Sequence, residues 1–293
     1  MKKILMTITA GAMLLSAQAY DSFGAAFSAG QAALKKRDYD TAAKCFAEAH
    51  KLAQKPGNRC DALFYEGIVL CEAGKTDDGI ARIQEAVKCS PSVSRTATLQ
   101  YHLGHYLQKS GRIDEAVAEL KKARTLDPKA PMADTCDNFA ARLLVRAGKN
   151  AEAEKLLQSV VDAPASQDGK INALCQLLTL SYVMKKDPAP FVAQLEQAQA
   201  KNGNTEVARC ERLWDYYLRT RQKDKAMAQA KLLQDNVTLT GVQRDHGTYY
   251  LARYYQFYTT DKAKAIECWK KIENSKNAYI AKQAKINLKK LEK

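Results

Sequence analysis

A small residue recurs along this chain at a fixed interval: Gly30, Gly67, Gly104 and Ala141 stand 37 residues apart. A period of that length means a series of stacked units, each unable to bury its apolar face alone. Within the units, apolar residues fall at i, i+3, i+4 and i+7, the pattern of amphipathic helices. Such an architecture presents surface to partners without naming the partner.

Residues Tyr101 to Pro128 show the unit most clearly. A first helix carries Leu103, Gly104 and Leu107, a break follows at Ser110-Gly111, and a second helix carries Ala116, Leu120 and Ala123. Gly111 suits a helix C-terminus that needs a left-handed residue, and Asp114 complements the dipole of the next helix. Two helices approach closely only where side chains are short, and Gly104, Ala116 and Ala123 are placed for that contact. The unit resembles a tetratricopeptide repeat, whose pattern has Leu-Gly in the first helix, Ala-large-Ala in the second and a closing proline. The second unit matches with Gly67, Leu70, Gly74, Ile83, Ala86 and Pro91, although Gly79 replaces the usual alanine. The first matches with Gly30, Tyr39, Ala42, Phe46 and Ala49. The fourth keeps Leu144, Gly148, Ala153 and Leu157, with Ala141 for glycine and Val160 for alanine.

The resemblance implies an all-α fold, a right-handed α-solenoid of about seven helix pairs plus a C-terminal capping helix. The pattern is strong over 22–166 and degenerate over 167–276, and 277–293 reads as the cap. The later pairs are expected at 172–185 with 190–200, 206–220 with 223–235, and 247–258 with 262–273. No glycine- or serine-rich linker interrupts the chain, so 20–293 reads as one continuous solenoid.

Residues 1–19 have the form of a secretory signal peptide. Lys2 and Lys3 precede an apolar stretch from Ile4 to Leu15, too short to span a bilayer, and Ala17-Gln18-Ala19 fits a cleavage site. The first cysteine is Cys45, which argues against a lipid anchor at the mature start. The expectation is a periplasmic or secreted protein that does not span a membrane. The formal net charge is +14, from 46 lysines and arginines against 32 acidic residues. A basic balance often accompanies nucleic-acid binding, but export removes that partner and leaves anionic envelope polymers or acidic proteins.

In the resembling family, one face of each first helix lines a concave groove. On that face stand Phe27, Gln31 and Leu34 in the first unit, Phe64, Ile68 and Cys71 in the second, and Tyr101, His105 and Gln108 in the third. The resemblance therefore implies an aromatic ladder, Phe27, Phe64 and Tyr101, that either contacts a partner or packs between first helices. Asn138 and Arg142 make the groove polar in the fourth unit. The expected occupant is a protein or peptide segment. A second cluster, Tyr249, Tyr250, Tyr254, Tyr255, Phe257 and Tyr258, lies within a basic C-terminal stretch. It is either core or a surface for anionic envelope polymer.

The chain has eight cysteines and no CxxC pair. Cys60 and Cys89 lie symmetrically about the turn at Gly74-Lys75, at the open end of one helix pair. They form a disulfide that staples the pair, or they are two small buried thiols. His102 and His105 lack a third ligand, so no metal or cofactor is expected. No nucleophile elbow, phosphate loop or carboxylate pair with a base is present, which points to a scaffold rather than an enzyme.

Overall fold

The computed structural model describes residues 20–130 and 132–291, and every regular element among them is a helix. The leader read at 1–19 lies outside the described residues. The described chain divides into two compact units, one ending at Arg95 and one beginning at Thr96. The first holds α1 (Phe23–Lys35), α2 (Tyr39–Leu52), α3 (Pro56–Glu72) and α4 (Thr76–Lys88), with α5 (Val93–Lys109) starting at its end. The second continues with α6 (Ile113–Leu126), α7 (Ala133–Arg146), α8 (Asn150–Asp162) and α9 (Gln167–Met184). After these come α10 (Ala189–Gln197), α11 (Gly203–Arg219) and α12 (Lys223–Asp235). The last are α13 (Gly241–Tyr258), α14 (Lys262–Ile272) and α15 (Ala278–Leu291).

In each unit odd-numbered helices pair with the even-numbered helix that follows, and the odd-numbered first helices stack on one another. In the second unit α7 packs on α9, α9 on α11 and α11 on α13. α15 closes the stack: Ile280, Ala284 and Leu288 are buried, while Lys282, Lys285, Lys289 and Lys290 face solvent. This is the all-α tetratricopeptide-type solenoid fold that the repeat pattern implied.

The first helices of the later pairs begin several residues earlier than their apolar pattern suggests. Each start is set by a polar cap. Ser166 accepts from the Gly169 amide, Asn202 from Asn204, and Thr240 from Gln243, whose own side chain answers the Thr240 backbone amide. Such caps satisfy donors that a helix start leaves unpaired.

The turns inside the first six pairs share one backbone feature, a residue in the left-handed region. Gly74, Gly111 and Gly148 have φ of 84°, 81° and 75°. Arg37, Lys185 and Arg221 occupy the same left-handed region, with φ of 59°, 55° and 61°. The period of the repeat is thus kept beyond the stretch where its sequence pattern decays. A side chain in that region costs about 1 kcal/mol relative to glycine.

The pairs are held close by small residues. A Cβ added at Gly67 would lie 2.6 Å from Ile83 Cγ1 and 2.7 Å from the Gly79 carbonyl oxygen. One added at Gly79 would lie 2.6 Å from the Gly67 carbonyl oxygen and 2.4 Å from Cys71 Sγ. The alanine usual at position 79 has no room, because α3 and α4 meet backbone to backbone.

Two stability measurements follow. Gly79→Ala should destabilise the first unit by about 1–3 kcal/mol in denaturant unfolding, because the overlap is with backbone that cannot yield. Lys185→Gly should stabilise by up to about 1 kcal/mol by relieving the left-handed residue at the end of α9. A neutral result for either would contradict the geometry assigned to that position.

Candidate functional site

The proposed groove residues fall into different environments. In the first unit the Phe27 ring lies 5.2–5.3 Å, centre to centre, from Phe23, Phe46 and Tyr65. Leu34 packs against the same cluster, while Gln31 is exposed. Phe64 lies 5.5 Å from Tyr65, and both Phe64 and Ile68 are half-buried. In the second unit half-buried Tyr101 lies 6.1 Å from Phe139, and His105 lies 6.3 Å from the same ring. Gln108 is half-buried beyond them. The rings therefore pack between successive first helices: Phe27 of α1 meets Tyr65 of α3, and Tyr101 of α5 meets Phe139 of α7.

Asn138 is only 4% exposed. Its amide nitrogen donates to the Asp134 and Gly169 carbonyls at 2.8 and 3.1 Å, and its oxygen accepts from Gln176 Nε2 at 2.7 Å. Both ends of the side chain are spent on tying α7 to α9. Beside it, Asp134 accepts from the backbone amides of Ala165 and Ser166 at 3.0 and 2.7 Å. Arg124 spans the two acids, 3.3 Å from Asp134 and 3.2 Å from Asp137. This buried polar network sets the position of α9 against α7.

Arg142 is exposed one turn further along α7, its guanidinium 5.3 Å above the Phe139 ring. It borders a cleft of about 420 Å³ between α7, α9 and α11. α7 contributes Arg142, Val145 and Arg146, and α11 contributes Ala208 and Arg212. α9 lies between them and forms the floor with Asn172, Cys175, Gln176, Thr179, Leu180 and Val183. Val183 is 58% exposed, a large apolar side chain left in solvent. Burial pushes the Cys175 thiol up to about 12, so it is a neutral part of the floor and not a nucleophile. Partial desolvation and the neighbouring Arg146 charge hold the Arg142 guanidinium below its ordinary value. No carboxylate lines the cleft.

Of this cleft, sequence reasoning named only Arg142. A signal was present. Asn138, Cys175 and Arg212 continue the 37-residue series that begins on this face at Phe27, so Cys175 and Arg212 occupy equivalent places on α9 and α11.

At the C-terminal end the aromatic cluster splits. Tyr249, Tyr250 and Tyr254 are buried, whereas Phe257 is 59% exposed. In the first unit, Cys60 and Cys89 come together as free thiols, both donating to the Ala86 carbonyl at 3.5 and 3.6 Å. Arg95 Nε lies 3.4 Å from the Cys60 sulfur. Among the described residues no His, Cys, Asp and Glu cluster fits a metal ion, and no helix is long and apolar enough to cross a membrane.

Stacked helix pairs with an open cleft on their first helices define a helical-repeat interaction scaffold. Residues 27–94 match a family model described as tetratricopeptide repeat, and residues 97–129 match a second model of the same description. Residues 27–94 and 97–129 therefore carry tetratricopeptide repeats, and such repeats support a protein-interaction scaffold role. No curated protein matches the sequence significantly. Among solved structures, the apo quorum sensor NprR of B. thuringiensis is similar over 91% of this chain and 80% of its own, with 12% identity and a TM-score of 0.55. A tetratricopeptide repeat protein of Parabacteroides merdae covers 94% of this chain and 100% of its own, with 12% identity and a TM-score of 0.49. Pseudomonas aeruginosa pilF covers 76% and 94%, with 15% identity and a TM-score of 0.48.

The buried network behind the cleft has a pH signature. Burial raises the Asp137 carboxyl to about 6; Arg124 opposes that rise and Asp134 adds to it. A folded-state value above the unfolded one near 4 means that protonation favours the fold. This contribution is full below about pH 4 and is lost as pH rises through about 6. Between pH 7 and pH 4.5 the wild type should gain about 2 kcal/mol relative to Asp137→Asn. Parallel stability curves for the two proteins would contradict the assignment.

Proposed function

We propose that the protein is an exported, non-catalytic scaffold of the bacterial envelope that holds a protein or peptide segment against the inner face of its first helices. The observation that carries this reading is the α7–α9–α11 cleft, where an apolar floor with exposed Val183 is left uncovered. Large apolar side chains left in a concave surface favour a docked segment. The leader-like residues 1–19 support export, and the absence of a catalytic constellation in the sequence supports a binding role. The aromatic ladder of the first three units contributes mainly by packing, with its half-buried rings available at their edges.

The test is a cross-linked pulldown from envelope extract, with wild type compared with Val183→Asp and with a Phe27→Ala, Phe64→Ala, Tyr101→Ala triple variant. Both variants must keep full helical content. A protein captured by the wild type and lost only with Val183→Asp supports the cleft. Loss only with the triple variant moves the site to the N-terminal ladder, and capture unaffected by either contradicts docking on this face.

A second reading has its own observation. α15 exposes Lys282, Lys285, Lys289 and Lys290 beside Tyr279, which is 60% exposed. That surface suits an anionic envelope polymer such as peptidoglycan or lipopolysaccharide. Salt separates the two readings, because binding through surface lysines collapses as ionic strength rises and an apolar cleft retains its occupant.

Export also has a covalent consequence. In an oxidising compartment, Cys60 and Cys89 give up two electrons and two protons by exchange with a disulfide-carrying oxidoreductase, and one S–S bond forms between them. Peptide mapping of the exported protein without reduction should find the 60–89 linked peptide. Two free thiols at those positions would contradict this expectation.

A further inference from the structure

We infer that the α7–α9–α11 cleft selects an acidic segment, with carboxylates on either side of an apolar side chain; the inference rests on the docking reading above.

Several arginines of the second unit are committed to acidic partners. Arg124 is paired with Asp134 and Asp137, Arg209 with Glu206, and Arg219 with Asp215. Arg142, Arg146 and Arg212 line the cleft and have no acidic partner among the described residues. Three guanidinium groups thus border one cavity with no carboxylate in its wall. Arg142 and Arg146 stand one turn apart on the same helix face, so their charges repel. An occupant carrying negative charge relieves that repulsion, whereas a neutral or basic one leaves it in place.

The geometry sets what the anion must look like. Two arginines stand on one rim, on α7, and the third on the opposite rim, on α11, with α9 between them. Two interhelix steps span about 16–20 Å, the reach of about five or six residues of extended chain. An occupant that matches this spacing reaches from rim to rim. A peptide with acidic side chains at each end of such a stretch does so, and Leu180 and Val183 on the floor receive the apolar side chain between them. Guanidinium groups take carboxylates as paired hydrogen bonds, which gives direction as well as charge. The amides of Asn172 and Gln176 add polar contacts along the same wall.

The test uses random peptides displayed on phage and panned against the full chain, followed by binding of an enriched synthetic peptide to wild type and variants. The expected pool is rich in Asp and Glu beside an apolar residue. The best peptide should bind at least about tenfold more weakly to an Arg142→Gln, Arg146→Gln, Arg212→Gln variant. It should also lose affinity to Val183→Asp and weaken with added salt. An enriched peptide without acidic residues, weakened by Val183→Asp and indifferent to the arginine changes, overturns this inference and leaves the docking reading standing. No enrichment, or binding indifferent to all four substitutions, overturns both. None of the three arginines has an acidic partner in the fold, and Arg142 alone stacks on a ring, that of Phe139, so the glutamine variant should unfold close to the wild type. A large loss of stability would mean that the arginines serve the fold, and would contradict the assignment.

Discussion

The contact on which the rest of this structure depends is the close approach of the two helices in each pair. It is made possible by a small residue on the first helix, over which a large residue of the second can lie. Gly30 receives Phe46, Gly67 receives Ile83 and Gly104 receives Leu120. Once that distance is set, a two-residue change in hairpin length would misplace every later pair. A left-handed residue in the turns of the first six pairs keeps the count. It is glycine in three turns and a basic residue in three others, which shows that the conformation is demanded even where the side chain is poorly suited to it.

Regular pairing has a functional consequence. It places first helices side by side, so residues one repeat apart become neighbours on one surface. In the second unit that surface is anchored by a buried network, Asn138 with Gln176 and Asp134 with Arg124, and left open above it. The anchored part spends its polar groups inside the fold, with Gln176 alone also reaching the cleft. The open part combines apolar floor with unpaired positive charge. Polar groups divided in this way, satisfied below and unsatisfied above, are what a preorganised binding surface requires.

Much of the fold was legible from the spacing of small residues, because a tight helix contact tolerates few side chains and so marks the sequence. Helix starts were less legible: Ser166, Asn202 and Thr240 lie outside the apolar pattern and act through backbone amides. Gly79 read as a departure from the family pattern, and its reason lies in a backbone contact with Gly67 that no single position reveals. The turns at Lys185 and Arg221 gave no signal, since any residue can occupy a left-handed conformation if the surroundings impose it. At the candidate site, face periodicity placed Asn138 and Arg142 on the inner face. It could not distinguish a side chain that is consumed by α9 from one that is left in solvent. Arg146 and Arg212 join Arg142 only when α9 is laid between their helices, a juxtaposition set by packing.

The claim that the functional surface is the cleft of the second unit is tested most directly by amide hydrogen exchange on the full chain with and without a bound partner segment. Added protection should concentrate in α7, α9 and α11, with α13 to α15 unchanged. Protection confined to α13 to α15 would contradict that claim and move the function to the lysine-rich C-terminal helices.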